Sequence, residues 1–331
     1  MQDTLLIDAL NQLLADQCTP AVVRAIEAGG PTTKLWQAIE ASGFCDALLS
    51  EAQGGAGLGL KDAFELFSAC GEHLLPVPLA QTQLARALLA QGGLSAPAGA
   101  VALAGVSAAV GTGDELLLGY GAVADWLLLG DGHSLRLFDM QDAQREPLGD
   151  NSLDARVRLP ATAALTLPSA VDLRAQQALL LAAQMAGSMS QVFSRSLQYA
   201  NERVQFGRSI GKFQAIQHQL AQMAEHVQAA TMAARLGCAT AHTVADPLAC
   251  AVAKAATSAA VVPVCGFAHA VHGAIGITQE YDLQLHTRRL QAWRTAAGSE
   301  SHWNERVGRA LLASPHASLP EFVRTQLHAN N

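Results

Sequence analysis

The last half of this chain limits its folds more than any other feature, because from Val171 onward a helical period of apolar residues persists almost to the end. Phe213, Ile216, Leu220, Met223 and Val227 recur at alternating spacings of three and four, which sets them on one face of a long helix. Patterns of similar length run from Leu173 to Tyr199, from Pro247 to Val271 and from Glu280 to Leu312, with Pro247 at a helix start just after Asp246. Four long helices with short connections predict a C-terminal four-helix bundle.

The first 93 residues also read as helical. Leu5, Leu6, Ala9, Leu10 and Leu13 form one apolar stripe, and Leu35, Ile39 and Phe44 continue the theme in a second helix. The break between them, "EAGGPTTKLW", offers threonines to cap the helix beginning near Lys34. A glycine-rich loop, "EAQGGAGLG", precedes a further helix from Leu60 to near Leu74. The middle changes character: "AVALAG", "ELLLGYGAVADWLLLGD", "SLRLFDM" and "ARVRLP" are short apolar or alternating runs punctuated by Gly, Asp and Pro, the pattern of a small antiparallel sheet or barrel. The reading is an α+β fold, mostly α, with domains at 1–93 (helical), 94–168 (small β) and 169–331 (bundle).

Of 331 residues half are hydrophobic and only 15% are charged, which suits helices packed through small side chains or a buried subunit interface. A net charge of -7 gives no basic footprint, so neither nucleic acid nor an anionic membrane is an expected partner. The N-terminus lacks the basic start and long apolar run of a signal peptide, and charges or turn signals interrupt the other apolar runs, so no membrane span is expected. Cysteines at 18, 45, 70, 238, 250 and 265 contain no CxxC pair and fit reduced packing thiols in a cytoplasmic protein.

Several motifs lose to plainer readings. Gly54, Gly55, Gly57 and Gly59 follow no strand, and Lys61 is out of the GxxxxGK frame, so a helix connection is expected there. His269 and His272 are three apart but have no further ligand at a diagnostic spacing, so capping or packing is expected and no metal. No GxSxG occurs, and Ser299 has no assigned base.

The stretch "YANERVQFGRSIGKFQAIQHQLAQM" is different, because Arg203 and Arg208 flank Gln205, Phe206 and Gly207 between two long helices. Guanidinium groups, an aromatic ring and helix ends are suitable chemistry for a pyrophosphate and a stacked adenine, although a solvated connection between helices has the same composition.

On these residues the chain resembles the acyl-CoA dehydrogenase family. Arg203, Phe206, Gly207, Ile210, Phe213 and Gln214 match its R-x-x-F-G-x-x-I-x-x-F-Q motif, continued by Q-x-x-L-A-x-M at Gln217–Met223. "HGAIGIT" from His272 followed by "YDLQLHTRR" is similar to a second motif, usually H-G-G-I-G-F-T. "LWQAIEASGF", "GGAGLGLKDAFELFSACGEHLLPVPL" and "VADWLLLGD" extend the likeness over nearly the whole chain. The resemblance implies FAD, a CoA thioester substrate and an adenosine diphosphate moiety gripped across a subunit interface. Carried over, Arg203, Gln205 and Phe206 would face that moiety, Ile210, Phe213 and Gln214 would line it, and Gly273 and Gly276 would let backbone approach the pyrophosphate.

The family reaction needs a carboxylate to remove the α proton of the thioester. Its common home, the Glu of Y-E-G-T, is occupied here by Ala297 in "AAGS", and the alternative home on the first bundle helix falls on Gln177, an amide that cannot serve as a base. Glu300 and Glu305 are the nearby carboxylates, with Glu300 the candidate for a displaced base. The T-E-P-x-x-G-S-D loop and W-I-T strand are missing, Ala270 replaces a usual Gln, and Ala274 a usual Gly. This pattern resembles the short subunit of heteromeric α2β2 acyl-CoA dehydrogenases of bacterial steroid degradation. No catalytic residue is then assigned to this chain. FAD is shared with a longer partner subunit, the complex dehydrogenates an acyl-CoA, and electrons go on to a carrier. A homo-oligomeric enzyme using Glu300 and a structural subunit without flavin are the alternatives.

Overall fold

The computed structural model describes residues 2–106, 113–315 and 318–326. Five helices come first: α1 (Gln2–Gln17), α2 (Pro20–Glu27), α3 (Thr33–Ala41), α4 (Leu60–Glu72) and α5 (Leu79–Gln91). The apolar period does not announce α2. Thr19 begins it, its hydroxyl accepting the Val22 N–H, and Pro20 stands at the first position, where a missing N–H is harmless. The cap expected of the threonines before Lys34 is not realised, since Thr32 already has helical dihedrals and its side chain makes no capping bond. Phe44 lies beyond α3 in a 3-10 turn, yet its ring joins the core of Leu35 and Ile39. In α1 the buried residues are Leu10 and Leu14, while Leu5 stays exposed.

Among the described residues seven strands follow: β1 (Val101–Gly105), β2 (Glu115–Leu118), β3 (Trp126–Gly130), β4 (Ser134–Asp139), β5 (Gln144–Pro147), β6 (Ala155–Arg158) and β7 (Leu165–Pro168). They make two sheets, ordered β1-β3-β4-β7 and β2-β6-β5. The antiparallel expectation fails at one place: β1 and β3 run parallel, with Val101 opposite Trp126. The intervening chain carries β2 into the other sheet and is long enough to cross over before β3 returns. Strand alternation then divides the core. Ala102, Ala104, Leu127 and Leu129 meet Leu118, Ala155 and Val157 between the sheets, whereas Val101, Leu103 and Leu128 pack with helical residues such as Leu89, Leu173 and Ala178.

The bundle begins with α6 (Leu173–Glu202). A two-stranded hairpin, β8 (Val204–Gln205) and β9 (Arg208–Ser209), connects it to α7 (Gln214–Gly237), and α8 (Pro247–His272) follows. The start of α8 obeys its sequence signal, Asp246 accepting the N–H groups of Leu248 and Ala249 at 2.9 and 3.0 Å, and α6 begins in the same way, with Asp172 accepting the Ala175 N–H at 3.0 Å. In α7 the predicted face is buried at Leu220, Met223 and Val227, Ile216 is half-buried, and Phe213 stands at the cap. α8 packs against α6 and α7 in the middle of the bundle. By length and composition α8 could cross a bilayer, but 61% of its apolar window is buried against the protein, as in the core helix of a bundle.

The fourth predicted helix is two, α9 (Leu283–Thr295) and α10 (Glu300–Ala313), with a short α11 (Leu319–Gln326) beyond. The break falls at Ala297 and Gly298, whose φ values of 55° and 110° leave the right-handed helical path. Lys254 of α8 stabilises that ending. Its ammonium is fully buried and donates to the carbonyls of Trp293 and Arg294, both at 2.9 Å, satisfying acceptors that the end of α9 leaves open. Burial pulls Lys254 down to about 7, with the Glu300 carboxylate acting in the opposite direction.

Three glycines explain close approaches. A Cβ on Gly71 of α4 or Gly187 of α6 would collide with the other helix, at Gln184 and Ser68 respectively, so these helices cross backbone to backbone. In the glycine-rich loop, a Cβ on Gly59 would collide with Ala241, and its absence lets the N–H groups of Leu60 and Lys61 donate to His242 and Thr240 at 3.0 Å. The loop is a helix connection pinned to the α7–α8 turn. All six cysteines are buried and in no disulfide, and burial pushes the Cys70 and Cys238 thiols up to about 12.

Candidate functional site

The stretch between α6 and α7 folds as a hairpin whose two turn residues, Phe206 and Gly207, both have positive φ (52° and 79°). Such a turn matches the twist of paired strands, and it lifts the Phe206 ring into solvent, 90% exposed. Arg208 lies over the Phe213 ring at 4.2 Å, and Phe206 meets that ring edge-on at 6.2 Å. The Arg203 guanidinium has no ion pair among the described residues, while its carbonyl accepts the Ile210 N–H at 2.8 Å and locks the hairpin base.

Beneath the hairpin runs an open groove of about 540 Å3, walled by Arg203, Gln205, Phe206, Ile210 and Phe213 on one side and by Ala270–Ile275 on the other. Gly273 borders it with φ 63°, and a Cβ there would meet nothing within 4 Å, so backbone is bare at this wall. Six of the eight sequence-predicted site residues are thus brought together. Gln214 is exposed as the first residue of α7 and does not line the groove. Gly276 faces inward, where a Cβ would press on His272 and Leu283. His272 and Tyr199, which motif spacing does not single out as a wall, complete the groove: their rings stack at 4.5 Å, and the His272 Nδ1 lies 2.8 Å from the Ala268 carbonyl, which fixes the proton on that nitrogen. His269 packs against Thr287 at 3.2 Å, and no cluster of three metal-capable side chains occurs among the described residues.

At the other end of α6 a cavity of about 600 Å3 opens between sheets and bundle. The ends of β1 and β2, Arg174 and Gln177 of α6, and the turn Ala296–Gly298 border it. Gln177 and Ala297 therefore face the same space. Gln177 donates from Nε2 to the Leu103 carbonyl at 2.8 Å, and Arg174 donates from Nε to the Ala297 carbonyl at 3.3 Å, joining sheet, helix and turn.

Three carboxylates lie near. Glu300 is turned onto Arg294, which accounts for two hydrogen bonds and holds its carboxyl below the usual range; it does not border the cavity. Glu305 pairs with Arg309 on the exposed side of α10. Asp154, just before β6, does border the cavity. It accepts the Tyr120 N–H at 3.1 Å, and burial pushes its carboxyl up, opposed by that N–H and by Arg289. Nothing in the order of residues signals Asp154, because it reaches this space through the pairing of β2 with β6.

Groove and cavity share no bordering residue. At the helical rise, Gln177 and Tyr199 stand roughly 33 Å apart along α6, longer than an extended flavin dinucleotide, so one bound molecule does not touch both on one chain.

Helices, a middle β region and a helical bundle, with a sheet–bundle cavity and an arginine-lined groove at opposite ends of the first bundle helix, define the layout of an acyl-CoA dehydrogenase. Residues 172–312 match the family model for the acyl-CoA dehydrogenase C-terminal domain. The chain is 32% identical over 288 residues to acyl-CoA dehydrogenase IpdE2 of Mycolicibacterium smegmatis, covering 86% of this chain and 91% of that one. It belongs to the acyl-CoA dehydrogenase family. Among solved structures, a chain of the ChsE4–ChsE5 complex from Mycobacterium tuberculosis superposes with a TM-score of 0.82 at 22% identity over 95% of this chain and 98% of that chain. A variant of the Tcur3481–Tcur3483 steroid ACAD gives 0.77 at 25% identity over 94% and 98%.

Proposed function

We propose that this chain is the non-catalytic subunit of a two-component acyl-CoA dehydrogenase, holding the adenosine diphosphate half of a FAD whose ring lies in a longer partner. The observation that carries the reading is the contrast between the two sites. Gln177 and Ala297 border one cavity with no proton acceptor at either of the positions where the family keeps its base, yet the groove retains Arg203, Phe206 and the bare backbone of Gly273. The groove residues fit the tail of a dinucleotide: an unpaired guanidinium for phosphate oxygens, an exposed ring for adenine, and a glycine that admits close approach. FAD supplies the hydride acceptor when bound. This chain's residues bind and orient its tail, and the α proton is taken by the partner.

The relatives favour this arrangement. ChsE4–ChsE5 is a complex of two different chains, and the Tcur3481–Tcur3483 protein is a steroid ACAD, so an acyl-CoA from steroid breakdown is the proposed substrate, with electrons leaving to a carrier. Co-expression with a longer family member carrying the Glu should give a yellow complex that reduces its flavin with acyl-CoA, while the chain purified alone should be colourless. Stoichiometric FAD and turnover in the lone chain would overturn the assignment.

A second reading rests on Asp154, the carboxylate that does border the cavity and whose burial moves it toward the range of a general base. Under it the chain would dehydrogenate alone, and Asp154→Asn would remove that activity; the Glu300 version has no support, since Arg294 occupies that carboxylate.

A further inference from the structure

Arg174, near the start of α6, is the one cationic side chain among the described residues bordering the Gln177 cavity. Two contacts fix its place. Gly105 at the end of β1 lies against its backbone, where a Cβ would collide, and its Nε donates to the Ala297 carbonyl at 3.3 Å. Arg174 is half-buried and has no ion pair among the described residues. Neither Nη belongs to the buried atoms left without a partner, so both keep accessible surface on the cavity wall.

The surrounding charges leave this cation uncompensated. The nearby carboxylates are already committed, Asp172 to Arg306 at 2.7 Å, Glu300 to Arg294 and Glu305 to Arg309. Asp154, the other charged residue on the wall, receives the Tyr120 N–H and feels Arg289, and it makes no ion pair with Arg174. His302 is held below its usual pKa by burial first and by Arg174 and Arg306 next, as a positive corner would do. A charge drawn part-way out of water without a partner is costly, so this corner favours an incoming anion. Most of the remaining wall is apolar, with Leu103, Val106, Leu116, Leu118, Leu148 and Ala296.

We propose that the cavity binds a hydrophobic monocarboxylate, its acid group paired with the two Nη of Arg174 and its hydrocarbon body against the leucine walls. A carboxylate matches the guanidinium because two coplanar oxygens meet two N–H groups. A phosphate dianion would bring a second charge with no second cation on the wall. The volume of about 600 Å3 is enough for a ring-bearing body. Binding involves no flavin, thioester or proton transfer, so the proposal stands or falls separately from the subunit assignment.

The test is ligand-observed NMR on the full chain at neutral pH with two probes sharing one body, 4-cyclohexylbutanoate and 4-cyclohexylbutanamide. Dividing the amide Kd by the acid Kd cancels the contribution of that body. In wild type the acid should bind saturably and about tenfold more tightly than the amide, the effect of a charge-assisted bond, and Arg174→Leu should bring the ratio close to one. Arg309→Leu, which removes an exposed cation outside the cavity, should leave the ratio unchanged. If Arg174→Leu fails to fold, Arg174→Gln, which keeps a donor for the Ala297 carbonyl, decides. Absence of saturable acid binding, equal binding of the two probes, an unchanged ratio in the folded Arg174 variant, or a matching fall in Arg309→Leu overturns the proposal.

Discussion

Gln177 of α6 and Ala297 of the α9–α10 turn, distant in sequence, border one cavity, and the Gln177 amide is tied to the Leu103 carbonyl at 2.8 Å. Neither side chain can accept a proton from carbon. In a complex with the proposed longer partner, Gln177→Ala should therefore lower kcat by less than about 3-fold, where loss of a true general base costs roughly 10²- to 10⁴-fold. Steady-state assay of the purified complex decides, and a loss in the larger range would show that this chain's cavity takes part in the reaction.

Arg203→Ala should weaken FAD retention by the complex about tenfold or more, because the guanidinium is unpaired and a charge-assisted bond to phosphate is worth roughly 1.5–3 kcal/mol. Titration of flavin fluorescence measures it. Val204→Ser, an exposed neighbour outside the groove, is the control and should change little.

Gly273→Ala should separate conformation from space. Nothing would touch the new Cβ, but φ of 63° with ψ of -146° is a region L residues avoid, so a loss of about 1–3 kcal/mol is expected in denaturant unfolding. Gly187→Ala fails for the opposite reason: its backbone is ordinary helix, but the Cβ would strike Ser68 across the α4–α6 crossing, and overpacking of about 3 kcal/mol should follow.

His286 makes stability fall in acid. It is buried against Ser188 at 3.0 Å, and burial lowers its pKa from 6.5 to about 3, with Arg195 and Arg289 adding to the effect. Between these values the unfolded chain binds a proton that the folded chain refuses, so stability is full above 6.5 and is lost as pH drops towards 3. At pH 5 the loss from this group should be about 2 kcal/mol. His286→Gln should flatten that part of the curve of unfolding free energy against pH.

Much of the fold was legible because local rules and tertiary demands agree. The spacing of Leu220, Met223 and Val227 fixed a buried face on α7, Asp246 with Pro247 announced the start of α8, and the Arg203–Phe206 stretch already held the chemistry of the groove. Where residues answer to distant neighbours the sequence was silent. The break at Ala297 is invisible in a helical period and depends on Lys254 reaching across from α8 to hold the α9 carbonyls. The parallel pairing of β1 with β3 depends on which sheet captures β2, a choice made by packing between the sheets.

The sequence alone determined the class of chain and the absence of a carboxylate at 177 and 297, since both follow from residue identity in a helical frame. Only the tertiary structure decided that these two positions share one space, that Asp154 and Arg289 stand beside it, and that the groove lies at the far end of α6. Proximity between residues far apart in the chain is set by how helices and sheets pack, and side-chain order along the backbone does not encode it in readable form.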